Sequence, residues 1–309
     1  MMWQLPSKLT LSRISLPTAF ISVILIWSTT PLAIKWSVAE VSVSFALFLR
    51  MAIGTVLCWM LLKFLRQTFP FHRKAIQTYC VGACSLFGAM ILTYWAAQYV
   101  NSGLISVLYG LSPLITSFAA AYFLQEKSLT SAKIFGMICG FLGLIFIFQS
   151  SLHWNSNVML GCITLFLAVV IQSFGLVLLK KIGDTSSPVA INLGILAFSL
   201  PLFFLAWFLT DRSLPTSLWN RAGISIFYLS FFGSVLGFVL YYFMIKNLKT
   251  GTISLIYLMT PVIALLLGKH LNDESILLYT WIGTACILLG LTAHQSHHLK
   301  NLVKSIRAR

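Results

Sequence analysis

Charge is what this chain is short of. Only 9% of its 309 residues are charged, against roughly 25% in an average globular domain. Just six residues are acidic: Glu40, Glu126, Asp184, Asp211, Asp273 and Glu274. Also absent are a glycine-rich phosphate loop, a Ser/His/Asp arrangement and any zinc-like spacing, which argues against an ATPase or a hydrolase within the chain. The six cysteines, Cys58, Cys80, Cys84, Cys139, Cys162 and Cys286, all lie inside apolar runs. Cys80 and Cys84 share a helical face, where packing is expected rather than a disulfide or metal site. No cofactor is called for.

Apolar residues fill the space that charge leaves. They make up 59% of the sequence, more than a soluble core of this length can bury, so lipid must act as solvent for much of the chain. The net charge of +15 invites a nucleic-acid reading. The Lys and Arg residues, however, stand in short clusters between apolar runs, as in loops facing a cytoplasm, so nucleic acid is not an expected partner.

Stretches near 20 residues, the length that crosses a bilayer, recur at 18–38, 42–62, 76–98, 102–124, 132–150, 158–179, 188–209, 222–245, 250–271 and 277–295. The expected class is thus an all-α integral membrane protein of ten spans. The first run, which follows Lys8 and Arg13, reads as a retained span and not a signal peptide. With the N-terminus inside, inner segments carry sixteen Lys and Arg residues, from Lys8 to Arg309, and outer segments only Lys35, Arg212, Arg221 and Lys269. That bias puts both termini in the cytoplasm.

The second half repeats the first. At an offset of 148, Tyr94 falls on Tyr242, Gly103 on Gly251, Ser106 on Ser254, Tyr109 on Tyr257, Pro113 on Pro261 and Glu126 on Glu274. Seven identities fall between Tyr94 and Thr116, where roughly two would arise by chance. At an offset of 145, Trp27-Ser28 matches Gln172-Ser173 and Lys35 matches Lys180. Five spans per half is odd, so the second copy enters the membrane in the opposite sense. The expectation is two inverted five-helix repeats, 18–150 and 158–295, around a central cavity, followed by a basic cytoplasmic tail at 296–309. Alternating access exploits this arrangement.

Candidate site residues gather in the repeated segment. Ser106, Tyr109 and Pro113 follow spacings of three and four and so share a helix face; Ser254, Tyr257 and Pro261 repeat the pattern. Pro113 and Pro261 are candidate hinges, because a proline removes a backbone donor and disturbs a carbonyl one turn back. The hydroxyl stripes suit a cavity wall, and the alternative is helix packing with hydroxyls bonded to carbonyls. Arg50, near the middle of the second span, is a functional candidate by position. Its planar fork suits a substrate carboxylate or phosphate; the alternative is a structural arginine held by carbonyls. Trp27, Gln172 and Asn192 complete the set of expected substrate contacts. Tyr94, Trp95, Gln98, Tyr241 and Tyr242 lie near span ends and are read mainly as interfacial anchors. Gly136-x-x-x-Gly140 and Gly233-x-x-x-Gly237 read as packing. His294, His297 and His298 read as solvated neighbours of the tail. His270 and Asp273 are the nearest thing to a reactive pair that a lipid-modifying enzyme would need.

No carboxylate stands in the middle of a span. That argues against the mechanism by which exchangers titrate a membrane acid against a cationic drug. It favours a neutral, zwitterionic or anionic cargo and leaves other routes for a proton open.

The chain resembles a ten-span EamA-type member of the drug/metabolite transporter superfamily. The residues that carry the likeness are Trp27-Ser-Thr with Lys35, Phe48-Leu-Arg50, Ser102-Gly103…Pro113…Glu126 with its copy Thr250-Gly251…Pro261…Glu274, and Gly136, Gly140 and Gly143 echoed by Gly283 and Gly290. The resemblance implies a basket of helices in a bacterial inner membrane that moves small metabolites, often exporting amino acids. Similar proteins take up a nucleoside-like cofactor such as S-adenosylmethionine, which is the alternative cargo. The superfamily's small four-helix multidrug exporters rely on a first-helix glutamate, which this chain lacks. A monomer and a homodimer both fit the sequence.

Overall fold

A computed structural model describes residues 15–124, 131–152, 156–215, 217–248 and 256–294. All regular structure among them is helical: α1 Leu16–Ser37, α2 Val43–Phe64, α3 Arg73–Ala96, α4 Ser102–Tyr109, α5 Ser112–Phe123, α6 Ser131–Leu152, α7 Ser156–Ile182, α8 Pro188–Thr210, α9 Arg221–Tyr228, a π-helical stretch Leu229–Gly237, α10 Phe238–Asn247, α11 Ile256–Leu271 and α12 Leu278–His294. Helix is the form a lipid-immersed chain can take without stranding backbone groups, since each N–H and C=O is satisfied within its own segment. Side chains close the helix starts: Ser15, Ser42, His72, Ser187 and Asn220 each accept a bond from the backbone N–H three residues on.

Seven helical stretches are long and apolar enough to cross a membrane: 16–37, 43–64, 73–96, 102–123, 156–182, 188–210 and 221–244. Three shorter apolar helices, at 134–147, 256–271 and 278–293, stand where the fifth, ninth and tenth spans were expected. The start of the expected ninth span, with Ser254, lies outside the described residues, as do Glu126, His297, His298 and the tail at 296–309. The expected fourth span is broken: α4 ends at Tyr109 and α5 starts at Ser112, with Pro113 in its first turn. Pro261, by contrast, sits inside a continuous α11.

Helix pairing is specific. α3 packs on α7, α2 on α8, α4 on α11, and α1 along α11 and the α9–π–α10 segment. The most extensive pair is α6 with α12. It depends on glycine: a Cβ at Gly143 would stand 2.6 Å from the Gly283 carbonyl oxygen, and one at Gly290 would stand 2.5 Å from that of Gly136. The Gly136/Gly140 pattern therefore serves packing within the chain. Cys80 and Cys84, expected to pack, are free thiols on an exposed face of α3.

Gly143→Ala places a methyl against a neighbouring backbone that cannot rotate away, and should destabilise by about 1–3 kcal/mol. Gly88→Ala, whose Cβ would meet Ile171 Cγ2 at an ordinary 3.4 Å, should stay within about 0.5 kcal/mol. Thermal unfolding of the two variants in one detergent checks the contrast.

Candidate functional site

Arg50 lies two turns into α2 and is 2% exposed. A buried guanidinium needs its N–H groups engaged, and two neighbours begin that task. Nε donates to Ser234 Oγ at 2.9 Å, and Nη1 donates to Tyr94 Oη at 2.9 Å. Guanidinium carries five N–H bonds, so three remain, and no other side chain or carbonyl takes them among the described residues.

The π-helical stretch is what brings Ser234 to the arginine. A π turn is wider than an α turn and recurs at functional sites. Here it presents Ser234 Oγ to Arg50 and the Ser234 carbonyl to Asn192 Nδ2, at 2.9 Å. Gly233 beside it leaves room for the guanidinium, since a Cβ there would stand 3.0 Å from Nη2. The Gly233 pattern is thus not packing alone, as the sequence had it.

Arg50 opens onto a cavity with about 670 Å³ of space, counted out to its open end. Trp27, Ser106, Tyr109, Gln172 and Tyr257 line it too, with Thr30, Thr93 and Thr260. Six of the expected contacts thus converge on one space. A second chamber of about 700 Å³ adjoins it, sharing Gln172, Phe238 and Tyr257 and adding Ser85, Asn192, Tyr241 and Tyr242. Asn192 belongs to that chamber, with its amide turned to Ser234. Arg50 is the one charged residue lining either space, among the described residues.

The wall has two textures. Trp27 packs its ring 4.8 Å from Tyr241, 5.9 Å from Tyr257 and 6.2 Å from Phe238, giving a continuous aromatic surface. Opposite in chemistry are polar groups left available. The Ser106 and Thr260 hydroxyls and the Gln172 amide line the cavity with no hydrogen-bond partner among the described residues. Tyr109 is committed, its hydroxyl 2.8 Å from Thr93 Oγ1. Such a wall can bind an anionic group, donate to and accept from neutral polar groups, and stack on a flat apolar body.

Two readings of the sequence need correction. Tyr94 is no interfacial anchor: it is fully buried and holds Arg50. Tyr241 is 7% exposed and belongs to the aromatic wall. Trp95 and Gln98 are exposed near the end of α3, as an anchor would be. The sequence also missed Ser234, Gly233, Thr93 and Thr260. Only Thr260 carried a signal, as the repeat-mate of Ser112 ahead of the matched prolines. His270 and Asp273 are both exposed and make no bond to each other among the described residues.

Comparison with known proteins places this geometry. An uncharacterised transporter of Archaeoglobus fulgidus is 31% identical over 217 residues, covering 68% of this chain and 75% of its own length. The uncharacterised transporter YoaV of Bacillus subtilis is 23% identical, with 88% and 93% covered. Protein PagO of Salmonella typhimurium is 25% identical, with 90% and 92% covered. One solved crystal structure aligns with a TM-score of 0.65 at 19% identity, over 91% of this chain and 98% of the other, a likeness of fold. The profile of the EamA-like transporter family matches residues 16–149 and again 159–293. Two full matches leave only short segments uncovered, and the chain belongs to the EamA-like transporter family, within the drug/metabolite transporter superfamily.

Proposed function

We propose that this transporter moves small carboxylate-bearing metabolites, amino acids foremost, outward across a bacterial inner membrane by alternating access. The carrying observation is Arg50, a buried cation with three uncommitted donors facing a cavity that no acidic side chain lines among the described residues. A cation in that position is costly until an anion joins it, and a cargo carboxylate supplies the anion in bidentate form. Ser106, Thr260 and Gln172 then serve the cargo's neutral polar groups, and the Trp27–Tyr257 wall its apolar body.

The architecture in this reading is ten spans in two inverted five-helix repeats, with both termini cytoplasmic. The exchange-related pairings support it: α3 with α7 corresponds to the α9–π–α10 segment with α1, while α2–α8, α4–α11 and α6–α12 each join a helix to its own repeat-mate. Pro113 and Pro261 serve as hinges, and Gly110 at the α4/α5 break lies against Pro261, a Cβ there falling 3.6 Å from Pro261 Cγ. The aromatic wall offers an adenine ring a stacking surface, which is the best support for a nucleoside-like cofactor. The positive Arg50 sets itself against a sulfonium in the same cavity.

The first test compares intracellular and medium metabolites in cells with the wild-type chain and with Arg50→Lys, at matched growth. Carboxylates moving outward only with wild type support the reading; neutral or cationic compounds moving equally with both sink it. In proteoliposomes with the compound so identified, Arg50→Ala should cut affinity by roughly 30-fold or more, the cost of removing one partner of a buried charge pair. Tyr94→Phe frees one donor but loses an anchor, and should raise the half-saturation concentration about tenfold. Equal affinity in both variants would remove Arg50 from the cargo site.

A further inference from the structure

The second chamber contains an acceptor with nothing to accept. Asn192, on α8, is 2% exposed and lines that chamber. Its side-chain nitrogen carries two N–H bonds, and both are spent. One donates to the Ser234 carbonyl at 2.9 Å and the other to Cys58 Sγ at 3.6 Å. The Cys58 thiol gives its own hydrogen to the Val189 carbonyl, so its sulfur acts here as an acceptor. Two acceptors on one side fix the amide with its nitrogen toward them and Oδ1 turned away. Oδ1 receives no hydrogen bond among the described residues. An unpaired oxygen buried this deeply is rare in a folded chain and calls for a partner.

The chamber around Asn192 carries no charged side chain among the described residues. Most of its hydroxyls are committed: Ser85 Oγ donates to the Ile171 carbonyl at 3.2 Å, and the Ser112 and Ser173 hydroxyls lie 3.1 Å apart. The Tyr242 hydroxyl, on α10, is an exception, for it makes no hydrogen bond among the described residues. One fixed acceptor and one phenol free to donate therefore share a neutral space. Ser234 ties that space to Arg50, since its carbonyl holds Asn192 and its hydroxyl holds the guanidinium. The cation and the open acceptor stand on either side of one residue, a separation that a short-chain cargo bridges.

We propose that the second chamber is a subsite for a neutral carboxamide at the far end of the cargo, and that Asn192 is the residue that selects it. This assignment rests on the reading of Arg50 as the holder of the cargo carboxylate. A carboxamide carries N–H donors and a carbonyl acceptor on one carbon. Its nitrogen donates to Asn192 Oδ1, and its oxygen accepts from Tyr242 Oη. Close analogues fail for separate reasons. A second carboxylate in place of the amide has no N–H to offer Oδ1, and its charge meets no cation in this chamber. A terminal ammonium meets no anion there. An apolar chain of the same length leaves Oδ1 buried and unpaired, the circumstance in which a polar site discriminates most strongly. Tyr257, shared by the two chambers, covers the methylenes between the cargo's two ends.

The test measures equilibrium binding of radiolabelled L-glutamine, L-glutamate and L-norleucine, three chains of similar length, to the full protein in proteoliposomes. Wild type should bind glutamine about tenfold or more tighter than either of the others, the effect of leaving one buried acceptor unpaired. Asn192→Leu should bring glutamine down to the level of norleucine and leave norleucine unchanged. A merely structural Asn192, needed only to hold Ser234 and through it Arg50, would instead weaken all three alike. Should Asn192→Leu fail to fold, Tyr242→Phe removes a hydroxyl and no packing, and should weaken glutamine about fivefold without touching norleucine. Glutamine binding no tighter than norleucine in wild type, equal losses for all three in Asn192→Leu, or unaltered glutamine affinity in Tyr242→Phe would overturn the proposal. Arg50→Lys separates the two readings. If it weakens all three alike while wild type fails to prefer glutamine, only the carboxamide subsite is wrong; if it alters none of them, the carboxylate reading falls and the subsite with it.

Discussion

Everything polar in this protein answers to one constraint: hydrocarbon offers no hydrogen bonds. Most side chains meet it within their own helix. Thr30, Thr55, Thr93, Ser230 and Thr284 all return their hydroxyls to a carbonyl four residues back, which quiets a polar group in an apolar segment. Arg50 is too large and too strongly charged for that solution. It reaches across to α3 and to the π-helical stretch and still keeps donors in reserve. The cavity exists where this demand cannot be met by the chain alone.

The π-helical stretch then appears as a local adjustment to that arginine. An α turn keeps every carbonyl busy and holds side chains on a 3.6-residue period. Widening the turn over 229–237 redirects Ser234 so that its hydroxyl serves Arg50 and its carbonyl serves Asn192. Gly233 gives the guanidinium its clearance. Backbone irregularity at membrane depth is stable where it is buried in protein or lines a cavity, and both hold here.

α4 connects two kinds of chemistry. Its first residue faces the Glu274 carboxylate and its later turns present Ser106 and Tyr109 to the Arg50 cavity. Helices α4 and α11 lean on each other through Gly103 and Gly268, with Pro261 against the break at Gly110. A helix only eight residues long, followed by a break, thus joins one end of the bundle to the cavity wall.

The sequence by itself determined a great deal. Composition and the length of apolar runs gave a helical membrane protein, because the bilayer fixes both the form and the length of a span. The 148-residue offset singled out the stretch around Ser106, Tyr109 and Tyr257, and the cost of a charge in lipid singled out Arg50. Tertiary structure alone decided what those residues face. Tyr94 looked like an anchor because span-end position is a weak guide to direction, and only the crossing of α2 and α3 turned it onto the arginine. Ser234 and Gly233 could not be foreseen, since a π turn breaks the period on which a sequence reading relies. Glu274 read as a loop acid; its burial over Ser102 joins residues 172 apart in sequence, a distance at which local pattern carries no information about contact.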